Sequence, residues 1–216
     1  MIRGMVVLGL TGSIGMGKST AAAMLRSLGV PVYEADQTVH QVLGSRGAAV
    51  PAVKTAFPDA VRKGIVDRNA LADRVFGDQE ALARLEAIIH PFVRQAARQF
   101  LMLAALRREK VVVLDVPLLF ETGWDARCDA TIVMTAPHYL QEARVLSRPG
   151  MTRARLAAVR ARQVPDGEKR RRADFVVPTG LSRRLTLREL ARIVRLVRRA
   201  RRTGRPIRST GEGWTH

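Results

Sequence analysis

Cysteine is almost missing from this chain of 216 residues: Cys128 is the single one. A disulfide framework needs pairs and a cysteine-rich zinc cluster needs several thiolates, so both are excluded, and a reducing cytosol is the expected setting. Cys128 itself is expected to be a small, half-buried thiol. Long apolar runs are missing as well. The best stretch, Val111 to Phe120, is broken by Asp115 and Pro117, far short of the roughly 20 apolar residues that a membrane span needs. Met5 to Leu10 is apolar behind Arg3, but it is too short for the core of a signal peptide and runs directly into a glycine-rich turn. A soluble, cytoplasmic protein without a membrane partner is therefore expected. No internal repeat is present.

Acidic residues are scarce in one part only. Residues 140–216 hold 21 Lys+Arg against 6 Asp+Glu, whereas residues 1–139 hold 16 against 13, and the whole chain carries a formal charge of +18. A basic excess of this size suggests a nucleic-acid partner until its position is known. Here it belongs to the C-terminal third and leaves a nearly neutral core, so no specific nucleic acid is expected. The arginines from Arg183 to Arg208 exceed what that core requires and suit a solvated helix face. With 47% hydrophobic and 26% charged residues the composition is otherwise ordinary, and the length suits a single domain with small insertions.

Short β-like runs alternate with helical stretches, the pattern of a parallel sheet covered by helices. Strands are expected at Met5 to Leu10, Val30 to Tyr33, Val111 to Leu114, Thr131 to Thr135 and Asp174 to Val177. Between the second and third lies a helical insertion, residues 37–108. In it Asp67 caps a helix through Phe76, Gly77-Asp78 turns, and Leu82, Leu85, Ile88 and Ile89 keep the spacing of a buried helical stripe. Pro91 is expected to open a further helix ending at Arg107-Arg108. Residues 137–173 form a second helical excursion, interrupted at Pro149-Gly150 and Pro165. Ser182 caps a last helix whose Leu190, Ile193, Val194 and Val197 face the core. The core is thus expected at residues 1–36, 109–136 and 174–202, and a frayed basic tail at 203–216, with Trp214 exposed in it.

The sharpest signal follows the first strand. Gly12-Ser13-Ile14-Gly15-Met16-Gly17-Lys18-Ser19 fits G-x-x-x-x-G-K-[ST] between a strand and a helix, the context that gives the pattern its meaning. Wrapping phosphates in backbone N–H groups demands a tight curl that a Cβ would obstruct. The helix behind the loop directs its unpaired amides and dipole at the anion, Lys18 adds a point charge near the β and γ phosphates, and Ser19 offers an oxygen to Mg²⁺. Gly12, Ser13, Ile14, Gly15, Met16, Gly17, Lys18, Ser19 and Thr20 are the expected ATP-binding residues. The Asn-Lys-x-Asp and Asp-x-x-Gly patterns of a GTPase do not occur, nor does the serine-glycine signature of an ABC-type ATPase. Small-molecule kinases instead combine an early phosphate loop with a helical acceptor-binding insertion and a basic lid. The fold expected is α/β: a P-loop NTPase core with a parallel five-stranded sheet, a helical substrate-binding insertion and a helical lid.

Further residues narrow the choice. Glu34-Ala35-Asp36 with His40, Asp67-Arg68, Val75-Phe76, His90-Pro91, Asp115-Val116-Pro117-Leu118-Leu119-Phe120-Glu121, Gln141 with Arg144 and Arg148, Gln163, Glu168-Lys169 and Ala173-Asp174 follow the loop in order. Together they resemble the dephospho-CoA kinase family from about Leu8 to Gly180. The loop is generic to many kinases, whereas the run ending in Glu121 and the His-Pro step are narrower. The resemblance implies ATP-dependent phosphorylation of the ribose 3′-hydroxyl of dephospho-CoA, with coenzyme A and ADP as products.

Asp36 follows the second strand, which puts its carboxylate at the sheet edge where α/β proteins hold ligands. The resemblance makes it the catalytic aspartate that accepts or orients the proton of the acceptor hydroxyl; capping of the next helix is the other role open to it. Asp115 ends an apolar strand in the manner of a Walker-B carboxylate that holds Mg²⁺ through water, with a plain turn residue as the alternative. Arg144 and Arg148, four apart on one expected helix, can converge on triphosphate oxygens or simply be solvated. His40, Arg68, His90 and Glu121 are acceptor-domain residues by resemblance, and His90 would otherwise be a polar residue at a helix junction. Four positions depart from the family: Glu34 in place of Asp, Pro149 after Arg148 in place of an acidic residue, and Pro178-Thr179 in place of an Asn-containing turn near the adenine. A kinase of another small acceptor, such as a nucleoside monophosphate, and a nucleic-acid-binding P-loop protein are the competing functions. A monomer is the expected state.

Overall fold

A computed structural model describes residues 4–203. The expected tail, Trp214 included, lies outside the described residues, apart from Thr203 at the end of the last helix.

Strand β1, Val6–Thr11, is buried at every position, as a central strand covered on both faces must be. After the glycine loop, helix α1, Lys18–Ser27, buries Ala21, Ala22, Met24 and Leu25. It stops at Gly29, whose φ of +70° lets the Gly29 and Val30 N–H groups turn back to Arg26 O and Leu25 O, a glycine C-terminal stop. Strand β2 is Val32–Glu34.

The chain then enters a second unit, Glu34–Leu103. It opens with helices α2, Ala35–Val42, and α3, Val50–Ala56. Next comes an antiparallel hairpin of β3, Val61–Arg62, and β4, Ile65–Val66. That hairpin corrects the expectation of an all-helical insertion. Its strands are only two residues long, and Lys63 (φ 51°) with Gly64 (φ 74°) form the turn, the doubly left-handed geometry that tight hairpins require. Helix α4, Arg68–Val75, is capped by the Asp67 carboxylate, which accepts from Asn69 N and Ala70 N at 3.1 Å, as its sequence position implies.

Helix α5 runs from Gln79 to Leu106 with Pro91 inside it. The expected break there does not occur. Proline removes the hydrogen bond to the Ala87 carbonyl, a penalty of about 3 kcal/mol or more. Against it, Ala81, Leu85, Ile89, Val93 and Ala97 continue one buried stripe across the proline, and each large apolar side chain contributes roughly 1.5–3 kcal/mol. Asp78 starts the helix by accepting from Ala81 N at 2.8 Å, and that bond holds its exposed carboxyl below the usual range.

The first unit resumes at Ala104. Strands β5, Val111–Asp115, and β6, Ala130–Thr135, are followed by helices α6, His138–Leu146, α7, Arg153–Ala161, and α8, Asp166–Arg172. Strand β7, Phe175–Pro178, and helix α9, Arg183–Thr203, complete the described chain. The sheet order is β2-β5-β1-β6-β7, with parallel ladders joining β1 to β5, β1 to β6 and β6 to β7. All five strands occur where the hydrophobic runs predict them, within two residues at each end. Leu8, Leu10, Val113, Ile132 and Met134 of the sheet share one core cluster with Leu25 of α1 and Leu190, Ile193, Val194 and Val197 of α9.

Cys128 is half-buried, as expected. Burial, reinforced by Asp129, Asp125 and Asp174 nearby, pushes its thiol up to about 12, so it stays protonated at neutral pH and is a poor nucleophile.

Candidate active site

The loop leaves β1 at the sheet edge where its two neighbours, β5 and β6, lie on opposite sides, the position at which open α/β sheets bind ligands. Its glycines answer to particular constraints. A Cβ on Gly12 would stand 2.8 Å from Met134 O, and Gly15 and Gly17 hold φ of +78° and +84°. Gly17 is also the N-cap of α1 and supplies no side-chain cap. The first amides of that helix are thus left for an anion.

Lys18 Nζ donates to Asp115 Oδ1 at 2.6 Å, with the carboxylate side chain 2% exposed and the lysine 15%. Strand β5 brings Asp115 level with Leu10 of β1, so the last residue of one buried strand meets the first helical residue behind the neighbouring one. Ser19 and Thr20 are exposed on the first turn of α1.

Beside the loop lies a cleft of about 330 Å³, lined by Gly15, Gly17 and Thr20 and by Arg144, Arg148 and Arg183. Arg144 donates to Thr179 Oγ1 (3.0 Å), Thr179 O (2.8 Å) and Gly15 O (3.4 Å), bracing the loop against the end of β7. Thr179, one of the departures from the family pattern, has a defined place here. Its hydroxyl donates to Met16 O at 3.0 Å, and its side chain lies 3.2–3.3 Å from where a Gly17 Cβ would be. Arg148 does not share a helix with Arg144, as the spacing suggested, because α6 ends at Leu146 with Ser147 as its C-cap. Both arginines nonetheless line the cleft. Arg183, assigned from sequence to a solvated face, lines it too; the signal available was its place just behind the β7 turn.

Glu121 belongs to the first unit and not to the acceptor insertion. Its Oε1 accepts from Val164 N at 2.8 Å and lies 2.8 Å from Nζ of the fully buried Lys169. That lysine contact is ionic, without hydrogen-bond geometry, and among the described residues Glu121 Oε2 is buried with no hydrogen-bond partner.

The remaining sequence candidates fall in the second unit. Asp36 is exposed in the first turn of α2, which begins at Ala35, so Glu34 and not Asp36 holds the capping position. Arg68 bonds the His40 ring at Nδ1 and donates to His40 O at 2.8 Å. His90 is half-buried in the middle of α5, and its carbonyl accepts from Arg94 Nε at 3.4 Å. Among the described residues no group of three or more His, Cys, Asp and Glu is arranged to hold a metal.

Comparison with known proteins agrees with this architecture. The family model for dephospho-CoA kinase matches residues 6–182. The dephospho-CoA kinase of Rhodospirillum rubrum is 58% identical over 210 residues, covering 93% of this chain and 99% of that protein. The one from Paramagnetospirillum magneticum is 63% identical over 166 residues, 77% of this chain and 78% of its own length. A solved structure from Thermus thermophilus superposes with a TM-score of 0.76 at 39% identity, covering 89% of this chain and 97% of that one. The chain belongs to the dephospho-CoA kinase family, the P-loop kinases that carry out the last step of coenzyme A biosynthesis.

Proposed function

We propose that the glycine loop, Lys18, Asp115 and the cleft arginines form the ATP end of this kinase, and that Asp36, with His40, Arg68 and His90, handles dephospho-CoA. The observation that carries the assignment is the 2.6 Å contact of Lys18 Nζ with the buried Asp115 carboxylate. It joins the loop cation and a strand-end acid at one point beside exposed Ser19. Transfer of a phosphoryl group develops little covalent demand on the protein, so catalysis is positioning and charge stabilisation. The amides of the loop and of α1 receive the phosphates, and Lys18 balances the charge that develops on the γ-phosphoryl oxygens. Arg144, already committed to Thr179 and Gly15, acts mainly as a brace, whereas exposed Arg148 and Arg183 supply positive charge to the same cleft. The Asp36 carboxylate accepts a hydrogen bond from the ribose 3′-hydroxyl and aims it for attack.

The donor set fits Mg²⁺. A serine hydroxyl and a carboxylate offer hard oxygen ligands alone, and this ion binds through one or two carboxylates plus substrate phosphates rather than through an all-protein cage. Bound by Ser19 and, through water, Asp115, it would neutralise charge on the β and γ oxygens. No helix among the described residues is long and apolar enough to cross a membrane. The enzyme acts in the cytoplasm as a monomer, with dephospho-CoA as its small-molecule partner and no membrane or specific nucleic acid.

Asp115→Asn tests the assignment. The Mg²⁺ concentration giving half-maximal activity should rise at least about tenfold, the size of effect seen when partners one shell away from a metal are removed. An unchanged Mg²⁺ requirement in the folded variant would remove Asp115 from the metal site.

A further inference from the structure

The peptide units on either side of Ile14 are held from outside the loop. Ile14 N donates to Gln163 Oε1 at 3.1 Å, and Gln141 Nε2 donates to Ile14 O at 2.8 Å. Gln141 is 4% exposed, and its Oε1 accepts from an Arg160 guanidinium nitrogen at 2.5 Å. That bond fixes which end of the Gln141 amide faces the loop, since arginine offers only donors. Gln163 is fixed in turn through its neighbour, because Val164 N donates to Glu121 Oε1, which also lies against the buried Lys169.

The consequence follows from peptide geometry. In a trans peptide the carbonyl and the following N–H point in opposite directions. A donor seated on Ile14 O therefore aims the Gly15 N–H away from α6, and an acceptor on Ile14 N sets the plane before it. Gly15 has no intrinsic preference to supply this orientation, for its φ is +78° and a Cβ there would stand 2.6 Å from Val145 Cγ2.

We propose that Gln141, Arg160 and Gln163 are positioning residues for ATP: they lock the two peptides flanking Ile14, so that the loop amides are oriented before the triphosphate arrives. Glu121 and Lys169 serve the same end by anchoring Gln163. Preorganisation of this kind raises affinity by removing an ordering penalty from binding. The proposal rests on ATP occupying the glycine loop and concerns this substrate alone.

The test is steady-state kinetics in both substrates, with calorimetric titration of ATP, on the protein and its Gln163→Met and Gln141→Met variants. Each substitution keeps side-chain length and removes the hydrogen-bonding group. Each should weaken ATP, in Kd and in KM, by roughly tenfold, the effect of one lost hydrogen bond that leaves a polar group unpaired. The KM for dephospho-CoA should stay within about twofold, because uniform binding of the acceptor is untouched. Lys18→Ala, titrated alongside, reports separately on whether ATP uses the loop at all. If Lys18→Ala leaves both ATP affinity and turnover intact, the site assignment fails. If it impairs either while the folded glutamine variants bind ATP like the parent, or raise both KM values together, the positioning role is overturned. Should Gln163→Met not fold, Gln141→Met carries the same expectation from the other side of Ile14.

Discussion

Lys18→Ala should lower kcat by at least about 10²–10³-fold, the range found when one preorganised donor to developing charge is deleted. Lys18 is the first residue of α1, fixed by a helix start at Gly17 and by the 2.6 Å bond to Asp115, so no neighbouring cation can take over its position. Arg144 is tied to Thr179, and Arg148 lies beyond the end of α6. The substitution also withdraws the counter-charge from a carboxylate whose side chain is 2% exposed. The melting temperature should fall too, by about 2–4 °C for each kcal/mol lost in a protein of this size. Circular dichroism below that temperature should show the α/β fold retained. Near-normal turnover in a folded Lys18→Ala protein would take the loop out of the mechanism.

Asp36→Asn should reduce kcat by about 10²–10⁴-fold, the usual contribution of a positioned acid or base. Asparagine keeps the size and can donate as well as accept, so the acceptor hydroxyl loses its unambiguous hydrogen-bond acceptor. The KM for ATP should stay within about twofold, since the loop is unchanged. The fold should also be indifferent, because Asp36 is exposed and does not cap α2. Pre-steady-state quench measurements would separate a slow transfer step from slow product release. An unchanged single-turnover rate would return Asp36 to a structural role.

Much of this was legible in the sequence, for reasons that differ by element. The five strands were visible because a parallel sheet covered on both faces needs continuous apolar runs, and Val6–Thr11 and Val111–Asp115 are buried throughout. The glycine loop was visible because its backbone demands coincide with a short, contiguous motif. The hairpin Val61–Arg62 with Ile65–Val66 was not, since two-residue strands carry no periodicity. Pro91 misled because local propensity opposes a continuous helix there, whereas the buried stripe from Ala81 to Ala97, a property of the whole helix, overrides it. Sheet order and the partners of Gln141, Gln163 and Glu121 were also hidden, as those contacts join residues 19–149 positions apart.

The charge of +18 also has a more definite distribution. Arg144, Arg148 and Arg183 line the cleft, and Arg160 holds Gln141. The apolar side of α9, with Leu190, Ile193, Val194 and Val197, is buried in the core, while Arg184, Arg188, Arg195, Arg198 and Arg199 are exposed.

The assignment at stake is delivery of a phosphoryl group from this loop to dephospho-CoA. The most direct measurement incubates the purified protein with ATP and Mg²⁺ in the presence of dephospho-CoA or of a panel of nucleoside monophosphates, and follows ADP and the phosphorylated product by mass spectrometry and phosphorus NMR. On this assignment dephospho-CoA gains one phosphate on its ribose 3′ oxygen in step with ADP, and the nucleotides stay unmodified. Transfer to a nucleoside monophosphate with dephospho-CoA unchanged, or ADP released without any phosphorylated acceptor, would contradict it.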